Sequence, residues 1–199
     1  MVDHEHVREV YVELLRLLYS KVHASVPLLA ASSAALERSI HDQVAAGMGD
    51  WLHEHASEEQ HHDEWLLEDY TTIGRDPAEL GRQAGSRPSR SWSVRCTIGC
   101  CTLTRRHPRV LRGPGMEPAV RGIHRSARGR TGYPARAFYT LRQHSAVDVD
   151  HGAEVFDPLD RLPLCPERDA LIGLTTLQTA DLLIAAADEL LEEVSGDIA

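Results

Sequence analysis

Residues 51–70, which read WLHEHASEEQHHDEWLLEDY, decide how the fold of this chain is interpreted. They contain four of the twelve histidines and seven carboxylates among large apolar residues. Because no Pro or Gly interrupts them, they predict one helix that continues to Thr72 and ends at Gly74. The glycines at 47–49 predict a break before it, and Asp50 is expected to cap the new helix.

A carboxylate and an imidazole stand one turn apart on this predicted helix. Glu58 and Glu59 precede His62 by four and three residues, so either carboxylate could share a ligand with that imidazole. Helical bundles bind iron or manganese with such pairs. Glu54 and His61, seven residues apart, form a rival pair, and a solvated polar face is the alternative to any metal site.

The remaining apolar pattern predicts an all-α protein, an antiparallel helical bundle formed by a single domain over residues 1–199. Amphipathic segments predict helices over 5–19, 21–46 and 167–194, with Pro27 either restarting or kinking the second one. The last helix is expected to bury a stripe of seven residues, namely Leu171, Leu174, Leu177, Ala180, Leu183, Ala187 and Leu190.

Charge and cysteine usage restrict the partners. The net charge of −9 argues against nucleic acid or an anionic membrane as a partner of the whole chain. We see no apolar run long enough to span a bilayer, and the first residues do not resemble a signal peptide. The four cysteines lack zinc-site spacing, so a reduced, cytoplasmic protein is expected.

A second cluster of metal-ligand types follows at 144–151, HSAVDVDH. His144, Asp148 and His151 stand at positions i, i+4 and i+7, which lie on one face of a helix. Two imidazoles and one carboxylate suit a non-haem iron ion. The two clusters together therefore favour a metal site over two solvated faces.

The segment HASEEQHHDEWLLEDYTTIGRDP, followed about eighty residues later by HSAVDVDH, resembles the haem-oxygenase-like diiron oxidases, also called iron-containing redox enzymes. The resemblance covers residues 7–82 and 131–195. It implies a seven-helix, haem-oxygenase-like bundle that binds two Fe(II) ions and uses dioxygen as co-substrate to oxidise a small organic molecule. A homodimer is compatible with this interpretation.

The resemblance also implies the ligands. His144, Asp148 and His151 match the most specific motif of the family, and His62 with Glu58 or Glu59 matches its early helix. The family places a further Glu centrally, and here the only acid in that region is Glu117, about two positions short of the expected place.

The middle of the chain, residues 83–130, departs from this pattern. Twelve arginines and a single acid lie between Arg82 and Arg130, together with three of the four cysteines. Shifting the reading frame by one base at Ser93–Thr102, and in the other direction at Pro118–Arg125, can restore apolar, helix-forming sequences. We therefore expect parts of this segment to be read out of frame. A genuine basic insert that contacts nucleic acid or acidic partners is the alternative.

Two other functions remain open at the level of sequence. A haem-binding protein of the same fold would use one axial histidine, and His23 is the best-placed candidate. A catalytically inactive helical protein would lack a bundle helix and a ligand in its middle third.

Overall fold

The computed structural model describes residues 4–39, 41–84, 127–144 and 160–196. Within these ranges the chain is 86% helical and contains no strand, so the all-α prediction is confirmed. Five helices can be bounded. They are α1 (His4–Leu36), α2 (Gln43–Glu58), α3 (His62–Thr72), α4 (Ala78–Ala84) and α5 (Pro166–Gly196). Ala135–Phe138 form a 3₁₀ turn that leads into helical residues 139–144.

Helix α1 is continuous, where the sequence predicted two helices that meet near residue 20. Pro27 lies inside it, although an interior Pro removes a backbone hydrogen bond and costs about 3 kcal/mol. Packing on both sides of Pro27 offsets this cost. Tyr19 belongs to a buried cluster with α3, and Leu29 belongs to another with α2.

The start of α2 differs from the prediction, because the glycines at 47 and 49 do not break the helix. Asp42, rather than Asp50, is the N-cap, and its carboxylate accepts hydrogen bonds from the amides of Val44 and Ala45. Gly49 is buried against α1, and a Cβ at Gly47 would lie 2.6 Å from Leu162 Cδ2. The glycines therefore permit close packing inside the helix.

The main core is formed where α1, α3 and the 135–138 turn meet. Leu15, Leu66, Tyr70 and Phe138 have no exposed surface there, and Leu80 of α4 closes the cluster. A smaller cluster joins α1 to α2 through Leu29, Leu52 and Ala56. These two clusters hold α2 and α3 on neighbouring parts of the same long helix.

The turn after α3 follows the sequence prediction. Helix α3 ends at Thr72, Gly74 has a φ of +84°, and the Asp76 carboxylate accepts from the Ala78 amide at the start of α4. Gly readily adopts this left-handed conformation, which other residues rarely do.

Helix α5 matches its predicted bounds within two residues, but its predicted buried stripe is wrong. Leu171, Leu174 and Leu177 are 62%, 54% and 62% exposed, whereas Leu190 is buried. The stretch Pro166–Glu192 is long and apolar enough to cross a membrane, by length and composition alone. This corrects the expectation that the chain has no such run.

Candidate metal centre

The predicted single helix over residues 51–72 is two helices. Helix α2 ends at Glu58, residues 59–61 form a turn, and α3 begins at His62. His61 adopts a left-handed conformation with φ +68°, which histidine accepts more readily than most residues. The buried residues before and after the break explain it. Ala56 and Leu66 are ten residues apart, so on one straight helix these two buried side chains would point in directions that differ by roughly 80°.

His62 is the buried centre of the region. The residue is 8% exposed, its ring stacks on Trp65 with 4.0 Å between centroids, and its Nδ1 atom is buried without a hydrogen-bond partner. The nearest carboxylate oxygen is Glu59 Oε2 at 3.3 Å, placed off the direction of a hydrogen bond. A buried nitrogen of this kind is costly unless something binds it.

The structure brings the first histidine of the second cluster to this centre. The rings of His62 and His144 lie edge to face, with 5.3 Å between centroids, although the residues are 82 positions apart. Trp65 contacts both rings, at 4.0 Å from His62 and 5.9 Å from His144. The Tyr139 ring also packs edge to face on Trp65, with 5.7 Å between centroids.

Asp69 fixes the segment that carries His144. This carboxylate has no exposed surface and accepts the backbone amides of Tyr139 and Thr140, both at 2.9 Å. It thus caps the helical residues 139–144 from another helix. Seven residues separate Asp69 from His62, so both lie on one face of α3.

Electrostatics single out Glu59 among the carboxylates. Burial alone would raise the pKa of Glu59, but the His62 contact and the neighbouring His55 and His144 rings outweigh burial and lower it. The Glu59 side chain is 14% exposed and interacts electrostatically with three histidines. It is therefore held as a buried carboxylate anion, the form that binds metal cations.

Glu58 occupies a different place from Glu59. Its side chain is 43% exposed, and its Oε2 lies 3.2 Å from His55 Nδ1. His55 Nε2 lies 3.9 Å from Glu59 Oε1. Of the two carboxylates that the sequence offered as partners of His62, the structure places Glu59 beside that ring. Sequence reasoning did not single out His55 or Trp65; the position of His55 four residues before Glu59 was the available signal.

The structure separates the rival pair. Glu54 is exposed, and the His61 ring contacts Glu64 at 2.8 Å with 71% of its side chain exposed. That contact raises the pKa of His61.

His23, the candidate haem ligand, is 55% exposed, stacks on Tyr19 and forms a hydrogen bond through Nδ1 with Asp63 at 2.8 Å.

Several predicted ligands lie outside the described residues. These are Glu117, Asp148 and His151, and with them nearly all of the segment 83–130. Within the described ranges, no three His, Cys, Asp or Glu side chains are arranged to hold a metal ion. The donor set there nonetheless fits an iron ion chemically, since it offers imidazoles, a buried carboxylate and the His62 nitrogen without a hydrogen-bond partner.

Comparison of the chain with family models, with curated proteins and with solved structures finds no match.

Proposed function

We propose that this chain is a non-haem diiron oxidoreductase that activates dioxygen to oxidise a small organic substrate. Its ligands would be Glu59, His62, His144, Asp148 and His151, with Glu117 as the central carboxylate, and its fold a haem-oxygenase-like bundle. Glu58, which also precedes His62 within one turn, is placed here beside His55 instead.

The observation that carries the proposal is the meeting of the two sequence clusters at His62. Its ring lies 3.3 Å from Glu59 through Nδ1 and 5.3 Å from the His144 ring between centroids. Because His144 is the first residue of the second motif, this contact brings one member of each motif together. Contact between residues so remote in sequence supports a metal site built from two motifs.

The protein side chains would supply binding and shielding. Two bound Fe(II) ions would supply the electrons that reduce dioxygen. Glu59 is held ionised by the surrounding imidazoles and would offset the charge of a cation. Trp65 stacks on the His62 ring and contacts Tyr139, and these aromatic rings would shield the ligand from water.

The location and partners form part of the same proposal. A net charge of −9 disfavours nucleic acid and anionic membranes, so we propose a cytoplasmic enzyme with a small-molecule substrate. Helix α5 could span a bilayer by length, but Asp181 would then lie in the hydrocarbon core, which is unfavourable.

Iron analysis tests the proposal. After anaerobic reconstitution with Fe(II), we expect about two iron ions per chain in the wild type, measured by mass spectrometry. Asp148→Ala should bind at most one ion, because a motif carboxylate is removed. Asp150→Ala is the matched control, since residue 150 is off the face shared by the motif, and it should retain two.

Absence of bound iron in the wild type would contradict the diiron function. In that case, a Soret band that appears on haem addition and disappears in His23→Ala would identify the haem-binding alternative. Absence of both signals would exclude the diiron and haem functions and leave the inactive helical protein as the remaining candidate of the three.

A further inference from the structure

The two halves of the site share one sequence pattern. His55-x-x-x-Glu59-x-x-His62 has the spacing of His144-x-x-x-Asp148-x-x-His151. In each pattern a carboxylate stands between two histidines, four residues after the first and three before the second. The last histidine of the first pattern and the first of the second are the two rings that meet edge to face.

The surroundings of His55 resemble those of a metal ligand. Its Nδ1 lies 3.2 Å from Glu58 Oε2 and its Nε2 faces Glu59 Oε1 at 3.9 Å, while the ring stacks on Trp51 with 5.2 Å between centroids. Ligating histidines commonly use one ring nitrogen to contact a carboxylate, which orients the other nitrogen towards the metal.

Glu59 stands between two imidazoles. His55 Nε2 approaches its Oε1, and His62 Nδ1 approaches its Oε2 at 3.3 Å. As described, these three side chains do not yet form a metal-binding arrangement. Donor atoms about 2.1 Å from a shared ion lie roughly 3–3.5 Å apart, so the side chains would have to rotate to bring all three donors to one ion. The same His62 nitrogen is buried without a hydrogen-bond partner.

We propose that His55 is a metal ligand and forms, with Glu59 and His62, a triad equivalent to His144, Asp148 and His151. Each iron ion then takes two imidazoles and one carboxylate from one motif, a donor set typical of non-haem Fe(II). The inference rests on the proposed diiron function. It assigns Glu58 to orienting His55 rather than to binding the metal.

Equilibrium dialysis against Fe(II) under anaerobic conditions tests the triad without any measurement of activity. Wild-type protein should bind two ions. His55→Phe keeps a flat ring to stack on Trp51 but removes both nitrogens, and it should bind one ion; His55→Ala should do the same. His53→Ala, on the exposed side of the same helix, is the matched control and should bind two.

Glu58→Gln separates the two carboxylates of the early helix. We expect it to retain two ions with the affinity for one of them lowered about 10–100-fold, as is typical when a partner of a ligating histidine is lost. Glu59→Gln should lose one ion outright. Circular dichroism at the wild-type level in each variant excludes unfolding as the cause.

Two results would overturn the triad. If wild type and both His55 variants bind two ions with equal affinity, His55 is not a ligand, and the diiron function stands without it. If the wild type binds no iron, the diiron function fails and the triad fails with it.

Discussion

Asp69 shows how much one side chain can determine in this protein. Its two carboxylate oxygens accept adjacent backbone amides at 2.9 Å in a site with no exposed surface. Burial raises the pKa of Asp69, although the two amides act in the opposite direction. Burying a carboxylate is unfavourable, and the two hydrogen bonds from the backbone amides explain why Asp69 is buried here.

Replacement of Asp69 should destabilise the fold. Asp69→Ala leaves the amides of Tyr139 and Thr140 without their acceptor, at about 1–3 kcal/mol for each unsatisfied group. Asp69→Asn keeps one acceptor oxygen and should lose less. Urea unfolding at pH 7 measures both free energies, with exposed Glu68→Gln as control. A loss below about 0.5 kcal/mol in Asp69→Ala would show that the cap is not required.

At the scale of the elements, the break between α2 and α3 depends on His61. Its left-handed backbone strains any residue with a side chain, and a β-branched residue most of all. Its contact with Glu64 is exposed and contributes little.

We therefore expect His61→Gly to raise the midpoint of thermal unfolding and His61→Val to lower it, each by roughly 2–4 °C. Scanning calorimetry of both variants gives the comparison, and Gln60→Gly serves as the control for glycine at a neighbouring position. If His61→Val unfolds at the wild-type temperature, the turn does not need the left-handed conformation.

The elements could be predicted from sequence where one periodic signal was sufficient. The bounds of α5 and the sequence from Gly74 through Asp76 to α4 are examples, because caps and turn residues act locally. The break at His61 could not be predicted, because no Pro or Gly marks it. It follows from the packing of α2 and α3 on different parts of α1, which is a tertiary effect. The predicted helix break at the glycines of α2 was wrong for the same reason, since these glycines permit close packing.

The site was predictable in part. The spacing of carboxylates and histidines in the sequence indicated both the pair at Glu58 or Glu59 with His62 and the motif at 144–151. The structure brings Glu59, His62 and His144 together. The choice between Glu58 and Glu59 depended on where His62 lies relative to them, which the turn between α2 and α3 determines. Periodicity on an unbroken helix could not distinguish them.

At the scale of the whole molecule, an ion pair joins two helices that are remote in sequence. Arg168 at the start of α5 donates two hydrogen bonds to the Asp42 carboxylate at the start of α2, at 2.7 and 2.5 Å. These bonds hold the pKa of Asp42 well below its usual value, with the N-cap amides contributing. A depressed pKa stabilises the folded state above the unfolded value of 3.8, and this contribution is lost as the pH falls through the folded value.

Asp42→Asn should therefore be less stable than wild type at pH 7, and the difference should shrink as the pH falls below about 4. The amide keeps a capping oxygen and loses the charge. Urea unfolding at several pH values from 7 to 2 measures the effect, with Arg168→Gln expected to behave alike. A difference that stays constant over this range would exclude the ion pair as its source.

Helix α5 marks the limit of pattern-based prediction at this scale. Its apolar residues predicted a buried stripe, but in the described structure Leu171, Leu174, Leu177 and Ile184 are exposed. The periodicity of a helix identifies its apolar face and cannot say what covers that face.

Helix α3 holds His62 and Asp69 two turns apart on one face, about 10 Å along its axis. His62 at one end contacts Glu59 and His144, and Asp69 at the other end caps the helical residues 139–144. Any shift of His62 along α3 therefore also moves the cap beneath His144. Across related chains, a change in the length or direction of this helix would need a matching change at residues 139–144, so these two segments are expected to co-vary.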